Sequence, residues 1–245
     1  FVYHRQEILE DLVLLNKNHL LYNELFEKYV IERCVTHIHA VPAFLDTVEL
    51  QGYKYLRRAI AGGDECSLEL AKKWYNRCQF YNEYGPTETT VTSIEFLAKE
   101  EKEKKNKILI GKPIHNTRVY ILNKNNALQP IEIPGELCIA GEGVTRGYLN
   151  TSELTLAKFT ENPLLPAEKI YKTGDLARWL PDGNLEFLGR FDNQVKIRGF
   201  RIELGDIESK LSAHEFIKES VVIVKEKEND KYLVAYYVSE EEISE

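Results

Sequence analysis

The chain has 245 residues, 43% of them hydrophobic, enough to bury a sizeable core in one large or two smaller domains. Its formal net charge of -7 leaves no basic excess to attract phosphates, which excludes a general nucleic-acid or membrane-surface binder. No apolar run approaches the ~20 residues needed to cross a bilayer.

Residues 6–33 carry closely spaced leucines and acids, and this spacing predicts helix around a break at Asn16-Lys17-Asn18. Val35 to Val41 is apolar, rich in β-branched residues and ends at Pro42, the pattern of a buried strand. Residues 56–61 read as another strand, stopped by Gly62-Gly63. Ser67 is placed to N-cap a helix carrying Leu68, Leu70, Ala71 and Trp74, and Phe80-Tyr81 begins a further strand. Strand, helix, strand in alternation predicts an α/β layer with a parallel sheet.

After Val91 the character changes. Lys99 to Lys107 is a dense mixed-charge run, expected as a solvated loop. Short strands follow at Arg118 to Leu122, Gly135 to Ala140, Ala177 to Leu180 and Leu185 to Leu188, with Pro181-Asp182-Gly183-Asn184 as a hairpin turn between the last two. Such spacing predicts a small barrel or sandwich. From Asp192 a third unit begins, with Ile207 and Leu211 on one face of a short helix. Strands at Ser220 to Val224 and Tyr232 to Val238 follow, joined by the charged turn Lys225 to Asp230.

Cys34, Cys66, Cys78 and Cys138 form no C-x-x-C pair and no metal-ligand spacing. With no signal peptide in view, reduced thiols and a cytoplasmic location are expected, with Cys138 a small core residue. Methionine is absent even at the first position. That is expected of a piece of a longer protein, or of a chain whose methionines are missing from the written sequence.

Three segments carry chemistry. Asn82-Glu83-Tyr84-Gly85-Pro86-Thr87-Glu88 follows a predicted strand, where open α/β sheets bind ligands. Its rigid turn offers an aromatic face, a hydroxyl and a carboxylate: a stacking platform, a phosphate donor and a Mg²⁺ ligand. Read blandly, it is a surface turn with incidental polar residues. In Tyr171-Lys172-Thr173-Gly174-Asp175-Leu176, a carboxylate after a glycine turn can accept from both hydroxyls of a ribose, though a lone aspartate is more often a cap. The stretch from Gly189 to Glu208 reads as a polar connector with Gly199 and Gly205 where backbone freedom would help: a hinge, or more plainly a basic edge strand.

These segments, together with the run from Gly135 to Leu149, resemble successive core motifs of nonribosomal peptide synthetase adenylation domains. That family belongs to the adenylate-forming superfamily with acyl-CoA synthetases and firefly luciferase. The resemblance covers the chain from about Val35 to its end. It implies an α/β fold: residues 1–110 as part of the large α/β subdomain, 111–191 as a β-barrel-like subdomain, and 192–245 as the start of a mobile α+β domain hinged at Asp192. It implies ATP and Mg²⁺ as cofactors and aminoacyl-adenylate formation, with transfer to the phosphopantetheine of a peptidyl carrier domain beside neighbouring synthetase modules. Thr87 and Glu88 would be catalytic, Thr87 on the phosphate and Glu88 on the metal. Tyr84 would stack on adenine, with Phe187 as a second ring. Asn82 and the Gly62-Gly63 turn would meet the adenine amino edge. Gly85 belongs to the same nucleotide set, and Asp175 with Arg190 would grip the ribose.

The resemblance places His39, Ala59, Ala61, Glu83, Val91 and Thr92 around the amino-acid side chain. Two alanines would leave room for a large substrate, and an unpaired Glu83 would require a donor from it. A phenol, a carboxamide or a cationic tip would all serve as that donor, and a tyrosine-like or asparagine-like substrate is expected. The family's upstream phosphate loop, its amine-binding aspartate and its C-terminal lysine have no counterpart among the 245 residues, and Lys196 and Lys225 are not substitutes by position. The isolated chain is therefore expected to be poorly active. An acyl- or aryl-CoA ligase, a D-alanine ligase for cell-wall acids and a non-catalytic nucleotide-binding module are the rival readings.

Overall fold

A computed structural model describes residues 2–6, 9–49, 52–99, 108–227 and 230–239. The chain divides into two units, Phe1–Gly189 and Arg190–Glu245.

The first unit opens with β1 (Val2–Gln6) and β2 (Leu9–Val13), then α1 (Lys17–Leu21), α2 (Asn23–Glu32) and β3 (His37–Ala40). It continues with α3 (Pro42–Thr47), β4 (Arg58–Gly62), α4 (Leu68–Tyr75), β5 (Gln79–Tyr84), β6 (Ile94–Leu97) and β7 (Lys112–Pro113). The strands form a seven-stranded α/β sheet in the order β2-β1-β3-β4-β5-β6-β7. Only β3, β4 and β5 run parallel to one another, and each step between them is made through a helix, because a tight turn cannot join parallel strands.

The local chemistry explains these elements. Ser67 Oγ accepts from Leu70 N at 3.1 Å, the N-cap that starts α4. Pro42 opens α3, where its missing N–H costs nothing. Trp74 is fully buried with its indole N–H donating to Leu45 O at 3.3 Å. Leucine spacing misleads at the N-terminus: residues 9–13 form a strand, not helix, because β1 pairs with both β2 and β3 and draws them into the sheet edge. The predicted break does fall at Asn16, whose side chain caps α1.

Pairing register decides which residues share a face. Ile38, Ala59 and Phe80 are adjacent on β3, β4 and β5, as are Ala40, Ala61 and Asn82. This face also holds Tyr84, Ile94 and Phe96. It packs on α2, α3 and α4 through Phe26, Val30, Leu45, Leu70, Ala71 and Trp74. The opposite face carries His39, Arg58, Ile60, Gly62, Tyr81, Glu83 and Glu95. One face is a core. The other is polar.

The second sheet comprises β8 (Thr117–Leu122), β9 (Gly135–Gly141), β10 (Phe159–Glu161), β11 (Lys169–Trp179) and β12 (Leu185–Arg190), with α5 (Ser152–Lys158) before β10. Its order is β10-β11-β9-β8, and β12 also pairs with β11. The strand expected at Ala177 to Leu180 thus begins eight residues earlier, at Lys169. The Pro181–Asn184 turn is closed by Leu180 N donating to Asn184 O at 2.8 Å. A core of Tyr84, Ile94, Ile121, Leu137, Ile139 and Leu185 joins the two sheets.

The second unit pairs β13 (Gln194–Ile197) with β14 (Phe200–Glu203) and then has α6 (Leu204–Ser212). The intervening Arg198 and Gly199 have φ of 52 and 80, the doubly left-handed geometry of a two-residue hairpin turn. β15 (Ile217–Lys227) and β16 (Asp230–Ser239) complete it as an antiparallel pair, and Glu208 on α6 accepts from Val222 N at 2.8 Å. Positions 100–107 of the expected charged loop, and 228–229 of the last turn, lie outside the described residues. Among the described residues no helix is long and apolar enough to cross a membrane.

Candidate functional site

β5 ends at Tyr84, and the chain then turns sharply through Gly85-Pro86 into a short 3-10 turn, Thr87–Thr89. A Cβ on Gly85 would stand 2.3 Å from Val91 O, so this turn closes only around glycine. Thr90 and Val91 follow with φ of 60 and 66. Two β-branched residues in succession in the left-handed region store strain, about 1–3 kcal/mol each. The segment is held by side chains: Thr90 Oγ1 donates to Gly143 O at 2.7 Å, Thr89 and Ser93 hydroxyls meet at 2.6 Å, and Thr92 Oγ1 donates to Glu83 Oε2 at 2.6 Å.

Tyr84 and Asp175 come from different sheets and meet. The Tyr84 hydroxyl donates to Asp175 Oδ2 in a short hydrogen bond, with both residues buried. Asp175 is aimed by an irregularity in β11: the ladder with β9 shifts register between Lys172 and Leu176. There Thr173 Oγ1 donates to Leu137 O at 2.7 Å and accepts from Asp175 N at 2.9 Å. Bulges of this kind re-aim side chains beside active sites. Phe187 adds a tilted ring 6.1 Å from that of Tyr84. Asn82 donates to Leu109 O at 2.9 Å, tying the loop before β7 to β5.

Glu88 is buried and accepts from the Tyr148 hydroxyl at 2.6 Å. Burial first, and then the hydrogen bond to Glu88, push the Tyr148 phenol well above its usual value, so it stays protonated and donates. Tyr148 lies within the Gly135–Leu149 motif, but nothing local marks it as a partner of Glu88, 60 residues earlier.

A cleft of about 550 Å³ opens at the strand ends, lined by His39, Gly62, Glu83, Thr87, Val91 and Thr92 among others. His39, Glu83, Val91 and Thr92 are thus brought together. Ala59 and Ala61 are not: both are fully buried in the helix-facing core, one residue out of phase with the cleft face. The room comes instead from Gly62, where a Cβ would stand 2.8 Å from His39 Nε2 and 3.8 Å from the Glu83 Cβ. Nor is Glu83 unpaired. Besides Thr92 it has Arg58 Nη2 at 3.5 Å and His39 Nε2 at 3.8 Å. Burial is the largest influence on His39 and lowers its pKa, opposed by Glu83 and reinforced by Arg58. The substrate is therefore not required to satisfy Glu83, as the residue type alone suggests.

Arg190 and Asp192 pair within the second unit, Nε to Oδ1 at 2.6 Å and Nη2 to Oδ2 at 2.7 Å. Asp192 Oδ1 also accepts from Gln194 N at 3.2 Å. All four cysteines are free thiols, and burial pushes Cys138 up to about 12. Among the described residues no group of three or more His, Cys, Asp or Glu is placed to hold a metal. Glu88 stands as a single buried carboxylate beside the turn, which suits Mg²⁺ only in the mode where substrate phosphates complete the shell.

A family model described as AMP-binding enzyme matches residues 11–149. The chain belongs to the AMP-binding enzyme family. Within it, the chain is 47% identical to tyrocidine synthase 1 of Brevibacillus parabrevis over 218 residues, 89% of this chain and 20% of that protein. It is 43% identical to bacitracin synthase 3 of Bacillus licheniformis over 240 residues, 95% of this chain and 4% of that one. It thus spans a fifth or less of these relatives' length. A solved nonribosomal peptide synthetase protein with adenylation and carrier (PCP) domains superposes with a TM-score of 0.80 at 27% identity, covering 89% of this chain and 46% of that one. A four-domain nonribosomal peptide synthetase bound to AMP and glycine gives a TM-score of 0.66 at 36% identity, covering 94% and 18%.

Proposed function

We propose that this chain is the central part of an amino-acid adenylation domain of nonribosomal peptide synthesis. The overall reaction joins ATP and an amino acid to give aminoacyl-AMP and pyrophosphate, then passes the acyl group to the phosphopantetheine thiol of a carrier domain. The observation that carries the reading is the Tyr84–Asp175 contact between two sheets. It sets an aromatic ring and a carboxylate side by side, beside the Glu88 turn, as an adenosine with its phosphates requires. The synthetase relatives and the AMP- and glycine-bound neighbour support it.

In this reading Tyr84 and Phe187 hold adenine, with Asn82, Gly63 and Gly85 around it. Asp175 accepts from the ribose hydroxyls. Thr87 donates to phosphate. Glu88, held by Tyr148, would hold Mg²⁺, which supplies charge neutralisation on the phosphates. In the first half-reaction a carboxylate oxygen of the amino acid attacks the α-phosphorus and pyrophosphate leaves; in the second, the carrier thiol displaces AMP. The protein contributes position and electrostatics in both. Asp192 is the hinge between the two half-reactions. The amino-acid side chain enters the cleft at His39, Gly62 and Glu83, and a neutral tip that both donates and accepts, tyrosine-like or asparagine-like, suits it.

The test is amino-acid-dependent ATP–pyrophosphate exchange across the twenty amino acids and ornithine, in a complete adenylation domain that carries this chain. One or two polar amino acids are expected to support exchange. ATP binding with no exchange for any of them would leave a non-catalytic nucleotide-binding module.

A further inference from the structure

Behind the cleft wall lies a charged residue that the proposed half-reactions do not use. Arg58 stands on β4, on the cleft face, and reaches across β5 towards β6. Its Nη2 is 3.5 Å from Glu83 Oε1 and 2.9 Å from Glu95 Oε2. Its guanidinium carbon sits 3.8 Å from the centre of the Tyr81 ring, which fixes its height above the sheet. Its Nε is buried with no hydrogen-bond partner, a desolvation cost that an ion pair serving only as a surface staple would avoid.

The two carboxylates differ. The Glu95 side chain is 40% exposed and its charge is screened by water, whereas the Glu83 side chain is 9% exposed and faces the cleft. Arg58, its side chain 29% exposed, hydrogen-bonds to Glu95 and also stands 3.5 Å from Glu83, so on the cleft side of the wall one guanidinium faces one carboxylate. The remaining titratable group there, His39, is held towards its neutral form by burial. The wall is polar and close to uncharged.

We infer that Arg58 is a specificity-determining residue: by cancelling the charge of Glu83 it turns the cleft against cationic amino-acid side chains and towards neutral hydrogen-bonding ones. Without it, Glu83 would face the cleft as an uncompensated acid, the wall that lysine or ornithine would select. Arg58 acts through Glu83, and nothing near Arg58 in sequence announces the role. The inference rests on the adenylation reading and on the cleft receiving the amino-acid side chain.

The experiment compares ATP–pyrophosphate exchange by wild type, Arg58→Gln and Arg58→Lys in the complete adenylation domain. The substrates are asparagine, glutamine, tyrosine, lysine, ornithine, aspartate and glutamate, and thermal midpoints are measured alongside. Arg58→Gln is expected to raise kcat/KM for lysine and ornithine, relative to the best neutral substrate, by about tenfold or more, since a charge within 4 Å in a partly dry site is removed. Arg58→Lys is expected to keep the wild-type ranking. If Arg58→Gln does not fold, Glu83→Gln is read instead. Leaving Arg58 paired only with the more exposed Glu95, it is expected to raise aspartate and glutamate relative to asparagine and glutamine. Equal losses for all substrates, with the ranking intact, would show a structural arginine and overturn the inference while leaving the adenylation reading standing. No exchange by wild type with any amino acid would overturn the reading itself.

Discussion

The two faces of β5 carry opposite kinds of polar chemistry. On one, Asn82 and Tyr84 are buried, and the carboxylate that Tyr84 meets, Asp175, arrives from β11. On the other, Glu83 lies among polar groups, His39, Arg58 and Thr92, beside a cleft. Strand alternation places these environments a single residue apart. In the proposed reading, one short strand presents a nucleotide platform on one face and an amino-acid wall on the other.

That separation can be broken in stages. The largest effect is expected from Glu88→Ala, which removes a preorganised charge beside the turn and lowers adenylation about 10²–10³-fold for every amino acid alike. Exchange assays that showed a substrate-dependent loss would blur the two faces. Next comes Gly62→Ala. Its new Cβ would stand 2.8 Å from His39 Nε2, so the KM for the amino acid should rise several-fold while the KM for ATP stays close to wild type. A parallel loss of ATP affinity would mean that Gly62 serves the nucleotide, as the family resemblance suggests.

Tyr84→Phe keeps the ring and takes one donor from a buried carboxylate, so unfolding free energy should fall by about 1–3 kcal/mol with the amino-acid ranking unchanged. Denaturant titration and exchange assays read the two separately. The smallest effect belongs to His39. Its folded pKa lies below the unfolded value of 6.5, so the unfolded chain binds its proton first and stability declines as pH falls from 6.5 through the folded value. His39→Gln should flatten that part of the stability profile, which thermal melts across the range will show.

Much of this was legible in the residues. The Ser67 cap, the parallel core strands and the closing pair of strands follow from local signals, and the turn after Tyr84 is marked by its own composition. What failed did so where partners decide. Residues 9–13 have leucines at helical spacing but are claimed by β1, a tertiary effect that overrides propensity. Ala59 and Ala61 are one residue out of phase with the cleft, and strand parity with His39 through the parallel register is the signal that would have moved attention to Gly62. The shift in β11 that aims Asp175, and Tyr148 on Glu88, exist only once two strands or loops have met. Glu83 looked like an acid in need of a donor because Arg58 and Thr92 reach it only in the folded sheet.

The most direct test is a crystal structure of the complete adenylation domain with a non-hydrolysable aminoacyl-adenylate analogue. Adenine should lie on Tyr84 with its ribose hydroxyls at Asp175, and the amino-acid side chain should enter between His39 and Glu83. An adenine seated in the His39–Glu83 cleft, or a ribose away from Asp175, would contradict the division of labour across β5.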